Sequence, residues 1–236
     1  FYKGTGLCQP NALTIDQLHD QWWGAYGTLE REHGYIQWLF PIREDGMNHR
    51  AQMLMVHERD AVRADPACRD RLLKSYRLFL DFMGIELENE KTGAVKRAKN
   101  FEERFDNLRT HSHNNLRITR ILKCLVEFGF PELQLPLVRF LAKEVFETSL
   151  LAPCADSLAN WWIHVIVDDA GREEMIKYCT DKGCPPDEDE PRDARGAGRR
   201  PTEKGMGAEG AAKDGAPPPP AYTDSYGPSA PDDDHM

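Results

Sequence analysis

Nowhere in its 236 residues does the chain have an apolar run approaching the ~20 residues that a membrane-spanning helix needs. CxxC pairs are also missing: Cys8, Cys68, Cys124, Cys154, Cys179 and Cys184 are scattered along the sequence. In a chain of this size, scattered thiols argue against a disulfide framework and for reduced cysteines in a cytosolic or nuclear protein. No GxSxG, Walker or dinucleotide-type glycine pattern occurs, so the chain reads as a non-enzymatic protein with no cofactor. Basic charge is not in surplus. The formal net charge is −9, and residues 181–236 hold 7 Lys and Arg against 13 Asp and Glu. Residues 1–180 are therefore close to neutral, which leaves no overall basic footprint for nucleic acid. Phe1 stands where an initiator Met would, which reads as a fragment of a longer protein.

Residues 181–236 contain no Leu, Ile, Val, Phe or Trp and ten of the sixteen prolines. Such a segment buries too little apolar surface to offset its ordering entropy, so a disordered acidic tail is expected after a domain spanning residues 1–180.

That domain reads as all-α with one small β-hairpin. Thr14 and Gln17 form a capping box, after which Ile15, Leu18, Trp22, Tyr26 and Leu29 share a face, with Gly34 as the expected helix stop. Asp65-Pro66 opens a second helix, whose apolar face runs from Leu72 to Met83 before Gly84. Alternation across 85–88 and 94–97, around Gly93, predicts a hairpin that must lean on helices to be stable. Asn100 and Glu103 predict a further capped helix, and from Asn115 another places Ile118, Ile121, Leu122, Leu125 and Phe128 on one arc. Further helices are expected from about Pro136, from Ser157 to Val167 and from Gly171 to Cys179. Short connections between helices imply a packed helical domain.

Three stretches carry a resemblance: Gly34-Tyr35-Ile36-Gln37-Trp38-Leu39-Phe40-Pro41, the run from His113 to Leu125, and Pro136-Leu137-Val138-Arg139-Phe140. In order and spacing they resemble the conserved domain of the opioid growth factor receptor family over nearly all of residues 1–180. The chain departs from the family pattern at His49, where a Trp is expected after Gly46-Met47-Asn48. The resemblance implies a receptor for the opioid pentapeptide Met-enkephalin that restrains cell proliferation. It also implies a place in the nucleus and perinuclear cytoplasm, with peripheral membrane association through a partner left open. An intracellular protein-interaction scaffold without opioid binding is the alternative.

Several constellations carry candidate chemistry. In Trp22-Trp23 and Trp161-Trp162, adjacent side chains point about 100° apart, so one of each pair belongs in the core and the other at the rim. Trp23 is the candidate contact residue of the first pair. Tyr35 and Trp38 lie in a segment too short for an amphipathic helix, expected as a buried connector or as a groove wall for an aromatic-bearing peptide. Arg117, Arg120 and Lys123 fall opposite the apolar arc as a basic stripe, the usual mark of a solvated face. Arg117 and Arg120 are candidates for a peptide carboxylate, which a forked guanidinium suits. His111-Ser112-His113 supplies two possible metal ligands, but no third or fourth at suitable spacing, so no metal site is expected. Cys124 falls beside the buried arc, where a thiol is inert. In the tail, Pro219, Pro220 and Tyr222 form a Pro-Pro-x-Tyr motif of the kind that WW domains bind.

Overall fold

Where Trp23 and Gly24 follow the first helical turns, the backbone turns extended and then left-handed, and this break sets the geometry of the N-terminal region. The computed structural model describes residues 1–46 and 48–186. The expected tail, with Pro219, Pro220 and Tyr222, lies outside the described residues.

Helix α1 (Ile15–Trp22) carries the expected capping box, with Thr14 Oγ1 accepting from Gln17 N and Gln17 Oε1 accepting from Thr14 N. One continuous helix to Leu29 does not form. Gly24 takes φ +73°, a conformation glycine adopts without steric cost, and the chain restarts as α2 (Tyr26–Arg31). Gly34 is no helix stop but a point of close approach. A Cβ there would stand 2.9 Å from Pro10 Cδ and 3.3 Å from Gln9 O. The following segment, read as too short for an amphipathic helix, makes a single helical turn, α3 (Ile36–Leu39).

Helix α4 (Val56–Ala64) has no clear sequence signature, because Val62 is its one buried residue. Helix α5 (Pro66–Phe82) starts as expected, with Asp65 Oδ1 accepting from Ala67 N and Pro66 in the first turn. It packs against α1 and α4, and bidentate Arg71–Asp16 and Lys74–Asp20 tie it to α1. Strands β1 (Ile85–Leu87) and β2 (Val95–Arg97) pair antiparallel, Ile85 opposite Arg97. The hairpin leans on α5 and, through a bidentate Arg97–Glu144 pair, on α8 (Gln134–Phe146).

Between β2 and α8 lie α6 (Phe101–Thr110) and α7 (His113–Glu127). Asn100 does not cap α6. Its Nδ2 donates instead to Tyr26 Oη and to Asp81, tying the hairpin exit to α2 and α5. The single helix expected over 157–167 is replaced by a 3₁₀ turn at Ala152–Cys154, a short α9 (Ala155–Ser157), a π turn at Leu158–Trp162 and a 3₁₀ turn at Ile163–Val165. Trp162 is fully buried there and donates its Nε1–H to Asn115 O, 3.1 Å away. Helix α10 (Asp169–Asp181) closes the described chain.

Among the described residues, four helices end on arginines from elsewhere in the chain. The last carbonyls of a helix have no partner within it and carry partial negative charge, so a guanidinium satisfies both needs. Arg104 donates to Phe82 O at the end of α5, and Arg63 donates to Val126 O and Glu127 O at the end of α7. Arg117 and Arg120 do the same for α2 and α3.

Within the α1–α5 contact, His19 and Ser75 are both buried, with His19 Nε2 and Ser75 Oγ 2.7 Å apart. Because Ser75 Oγ donates to Arg71 O, it accepts from His19, which places the hydrogen on Nε2. His19 Nδ1 is then a buried atom with no partner, and protonating it would bury an unsatisfied N–H. Burial, and then the Lys74 ammonium, lower the His19 pKa to about 4; Asp16 and Asp20 act the other way and Arg71 with Lys74. Since the unfolded chain takes up this proton near pH 6.5, stability is complete above that value and falls as pH drops towards 4, by on the order of 3 kcal/mol. Urea titrations at pH 7, 5.5 and 4.5 are expected to show a shallower acid loss in His19→Gln than in the parent chain. Parallel pH curves would remove His19 from the account.

Candidate functional site

The segment 34–41 is gripped along its whole length. Tyr35 is fully buried, donates to Leu29 O at 3.0 Å and meets Trp22 edge-on. Burial raises its phenol pKa well above the ordinary value. Leu39 O accepts from Tyr2 Oη, and Phe40 packs edge-on against Phe79. Arg117 lies over the Tyr35 ring, while Arg120 Nε donates to Phe40 O at 2.8 Å.

Trp38 is turned differently from its neighbours. Its Nε1–H donates to Gln9 O at 3.1 Å, and its side chain lines an open groove of about 390 Å³. Phe1, Tyr2, Leu54, Val62 and Phe128 supply the apolar floor and walls, and Phe1 meets the Trp38 ring edge-on at 5.6 Å. Lys3, Arg50 and Glu58 stand at its polar rim. Met53, Met55 and Val56, beside Leu54, are exposed apolar side chains. Aromatic walls with sparse polar groups at the edge are the usual make-up of a site for a small ligand or peptide side chain.

Trp23, 46% exposed, borders a separate groove of about 420 Å³ with Tyr26, Arg77, Asp81, Lys99 and Asn100. The structure thus gives Trp23 and Trp38 open cavities, but not the same one. Trp22 and Trp162 are the buried partners of the two Trp pairs, as the 100° offset predicts.

The basic stripe is not a solvated face. Arg117 is only 5% exposed, with hydrogen bonds to Leu29 O, Glu32 O and Asn114 Oδ1. Burial lowers the Arg120 pKa, and Lys123 pairs with Glu44 at 2.7 Å. The side of α7 opposite its apolar arc is covered by residues 29–44, which show no periodicity that would announce a packing face. Tyr35, Arg117 and Arg120 therefore hold the groove segment in place from behind and do not line the groove. Cys124 is fully buried on α7, and burial raises its thiol pKa far above the ordinary value.

The sequence reading did not assign Phe1, Tyr2, Leu54 and Val62 to a site, and it read Phe128 only as part of the apolar arc that starts at Ile118. They come from separated segments, so no local spacing links them, and only the apolar run Met53–Val56 hints at an apolar surface.

The profile described as "Opioid growth factor receptor (OGFr) conserved region" matches residues 1–188. This chain belongs to the opioid growth factor receptor family. Over 178 residues, 75% of the chain, it is 43% identical to the Mus musculus opioid growth factor receptor and 39% identical to that of Homo sapiens. Those alignments cover 28% and 26% of the two receptors. Over the same length it is 37% identical to Mus musculus opioid growth factor receptor-like protein 1, covering 38% of that protein. The chain thus spans well under half the length of these family members. No solved structure matches it.

Proposed function

We propose that this domain binds a short peptide bearing an aromatic side chain and a free carboxylate, with Met-enkephalin as the ligand, and that the Trp38 groove is the site. The observation that carries this reading is the placement of Trp38 in the groove wall. Of the aromatic side chains in the segment 34–41, Trp38 is the one that lines this open apolar groove, beside Gln37 and Pro41, with the cations Lys3 and Arg50 at the rim for a carboxylate. The relatives named as opioid growth factor receptors support the choice of peptide. Restraint of proliferation and a nuclear and perinuclear location belong to the same proposal.

Calorimetric titration of the chain with Met-enkephalin, against a scrambled peptide, tests it. Saturable binding of the true sequence alone is expected, with Trp38→Ala weakening affinity by about tenfold or more, as for an aromatic anchor in a pocket. Trp23→Ala is expected to leave affinity unchanged. The opposite pattern would move the site to the Trp23 groove, and equal heats from both peptides would end the receptor reading in favour of a protein scaffold.

The same proposal gives the Pro219-Pro220-Ala221-Tyr222 segment a WW-domain partner. A Tyr222→Ala peptide that binds a WW domain as tightly as its parent removes that partner.

A further inference from the structure

Helix α10 ends in a turn that brings two cysteines together. Gly183 takes φ +77°, Cys184 N donates to Cys179 O at 3.0 Å, and Gly183 N donates to Thr180 O at 2.9 Å. This pair of bonds around a left-handed glycine is the Schellman ending, in which the side chains at its two ends meet across the last turn. Here both of those residues are cysteines.

Backbone geometry sets their separation. With standard bond lengths, a 3.0 Å bond from Cys184 N to Cys179 O holds the two Cα atoms at most about 6.9 Å apart. The bends at nitrogen and oxygen bring them inside that limit, and disulfides span Cα separations of about 4.4–6.8 Å. In an uninterrupted helix, residues five apart would point about 140° away from each other. The reversal at Gly183 turns Cys184 back.

The two thiols are not equivalent. Cys179 is fully buried, whereas Cys184, alone among the six cysteines, is only half-buried. Burial, and then the neighbouring Cys184 sulfur, push the Cys179 thiol up to about 12. Both cysteines are reduced. Cys184 Sγ donates weakly to Ala155 O at 3.8 Å, a contact that a change of rotamer gives up at little cost.

We propose that Cys179 and Cys184 form a redox modification site, a dithiol that closes to an intramolecular disulfide when the chain meets a low-molecular-weight disulfide. Cys184 reacts first, because it is the thiol that solvent reaches. Its thiolate attacks one sulfur of the small disulfide, whose S–S bond breaks, and the departing thiolate takes up a proton. Cys179 then gives its proton to water and attacks the Cys184 sulfur, expelling the second small thiol. Two protein thiols are oxidised and one small disulfide becomes two thiols. The burial of Cys179 makes the second step the slower one. The closed bond clamps the last turn of α10, within the final residues that the family profile matches.

The test incubates the full chain with oxidised glutathione, alkylates the remaining thiols under denaturing conditions, and maps tryptic peptides by mass. Cleavage after Lys182 separates residues 178–182 from 183–192, which stay together only through a Cys179–Cys184 bond. One such linked pair per chain is expected, released by dithiothreitol, with Cys8, Cys68, Cys124 and Cys154 alkylated. Cys179→Ser is expected to stop at glutathione on Cys184, and Cys184→Ser to leave Cys179 unmodified. A Cβ on Gly183 meets no neighbouring atom but strains the left-handed turn. Gly183→Ala is therefore expected to lower the equilibrium constant for closure by about fivefold. A parent chain that stops at the Cys184 mixed disulfide overturns the proposal. So does linkage of either cysteine to Cys154 in equal amount, or closure unchanged by Gly183→Ala.

Discussion

Arg117→Ala is expected to destabilise the domain by about 4 kcal/mol, measured by urea denaturation at pH 7. The guanidinium is almost wholly buried, lies over the Tyr35 ring, and donates to Leu29 O at 2.9 Å, Glu32 O at 2.8 Å and Asn114 Oδ1 at 3.2 Å. Two of those acceptors belong to the frayed end of α2, which no other part of the helix satisfies. Truncation removes the Arg117 donor from Glu32 O and leaves Leu29 O with the Tyr35 hydroxyl alone, and a part-buried carbonyl that loses its donor costs more than the net worth of the hydrogen bond. It also opens a void beneath Tyr35. Arg117→Lys is expected to recover at most about half of the loss, because an ammonium lacks the planar fork that reaches Leu29 O and Glu32 O at once. Full recovery by lysine would mean that charge at the end of α2 is what matters, and not the planar array of donors. If Arg117→Ala proves nearly neutral, the residues 29–35 must be able to reach water, and the inward reading of the stripe fails.

The second large effect is expected at Gln134. Its side chain has no exposure, yet it makes three hydrogen bonds to backbone: Nε2 to Leu122 O at 2.9 Å and Val165 O at 2.8 Å, and Oε1 from Val167 N at 3.0 Å. These bonds hold the exit of the 158–165 turns against α7. Gln134→Leu keeps the approximate shape and removes every one of them, at a cost of about 3 kcal/mol or more. Gln134→Glu is more informative. Its carboxylate still accepts from Val167 N but faces two carbonyl oxygens, so burial and repulsion raise its pKa in the folded state. An acid whose folded pKa is raised binds its proton more tightly when folded, so the relative stability of this variant should rise as pH falls through that pKa. Thermal melts between pH 7 and 5, compared with Gln134→Leu at each pH, read this directly. A Glu variant with the same pH dependence as the Leu variant would show that the site is wet.

What the sequence revealed follows from how each element is held. Helices α1, α5 and α7 carry an apolar stripe or a cap, and their starts at Thr14, Asp65 and His113 lie close to where those signals place them. Helix α4 buries too little to leave a periodic trace. The irregular turns over 152–165 depend on Trp162 reaching Asn115 O, a contact between distant positions. The arginine stripe was legible as positions but not as an environment. Helical periodicity identifies which residues oppose the apolar arc, and it assumes water on that side unless something else covers it. Here the covering is residues 29–44, whose hydrogen bonds come mainly from backbone. The groove was legible only through Trp38, because its other walls are assembled by tertiary packing alone.

The arginines that end α2, α3, α5 and α7 all donate to peptide oxygens, and a peptide oxygen is present whatever side chain its residue bears. Leu29, Glu32, Phe40, Phe82, Val126 and Glu127 supply these acceptors through atoms that mutation does not alter. The joints of the domain are thus written on one side only. Substitution at the accepting positions leaves each joint intact so long as the backbone path is kept, while substitution of the arginine severs it. A domain fastened this way can drift far in sequence around a few fixed donors and still present Trp38 at the same angle.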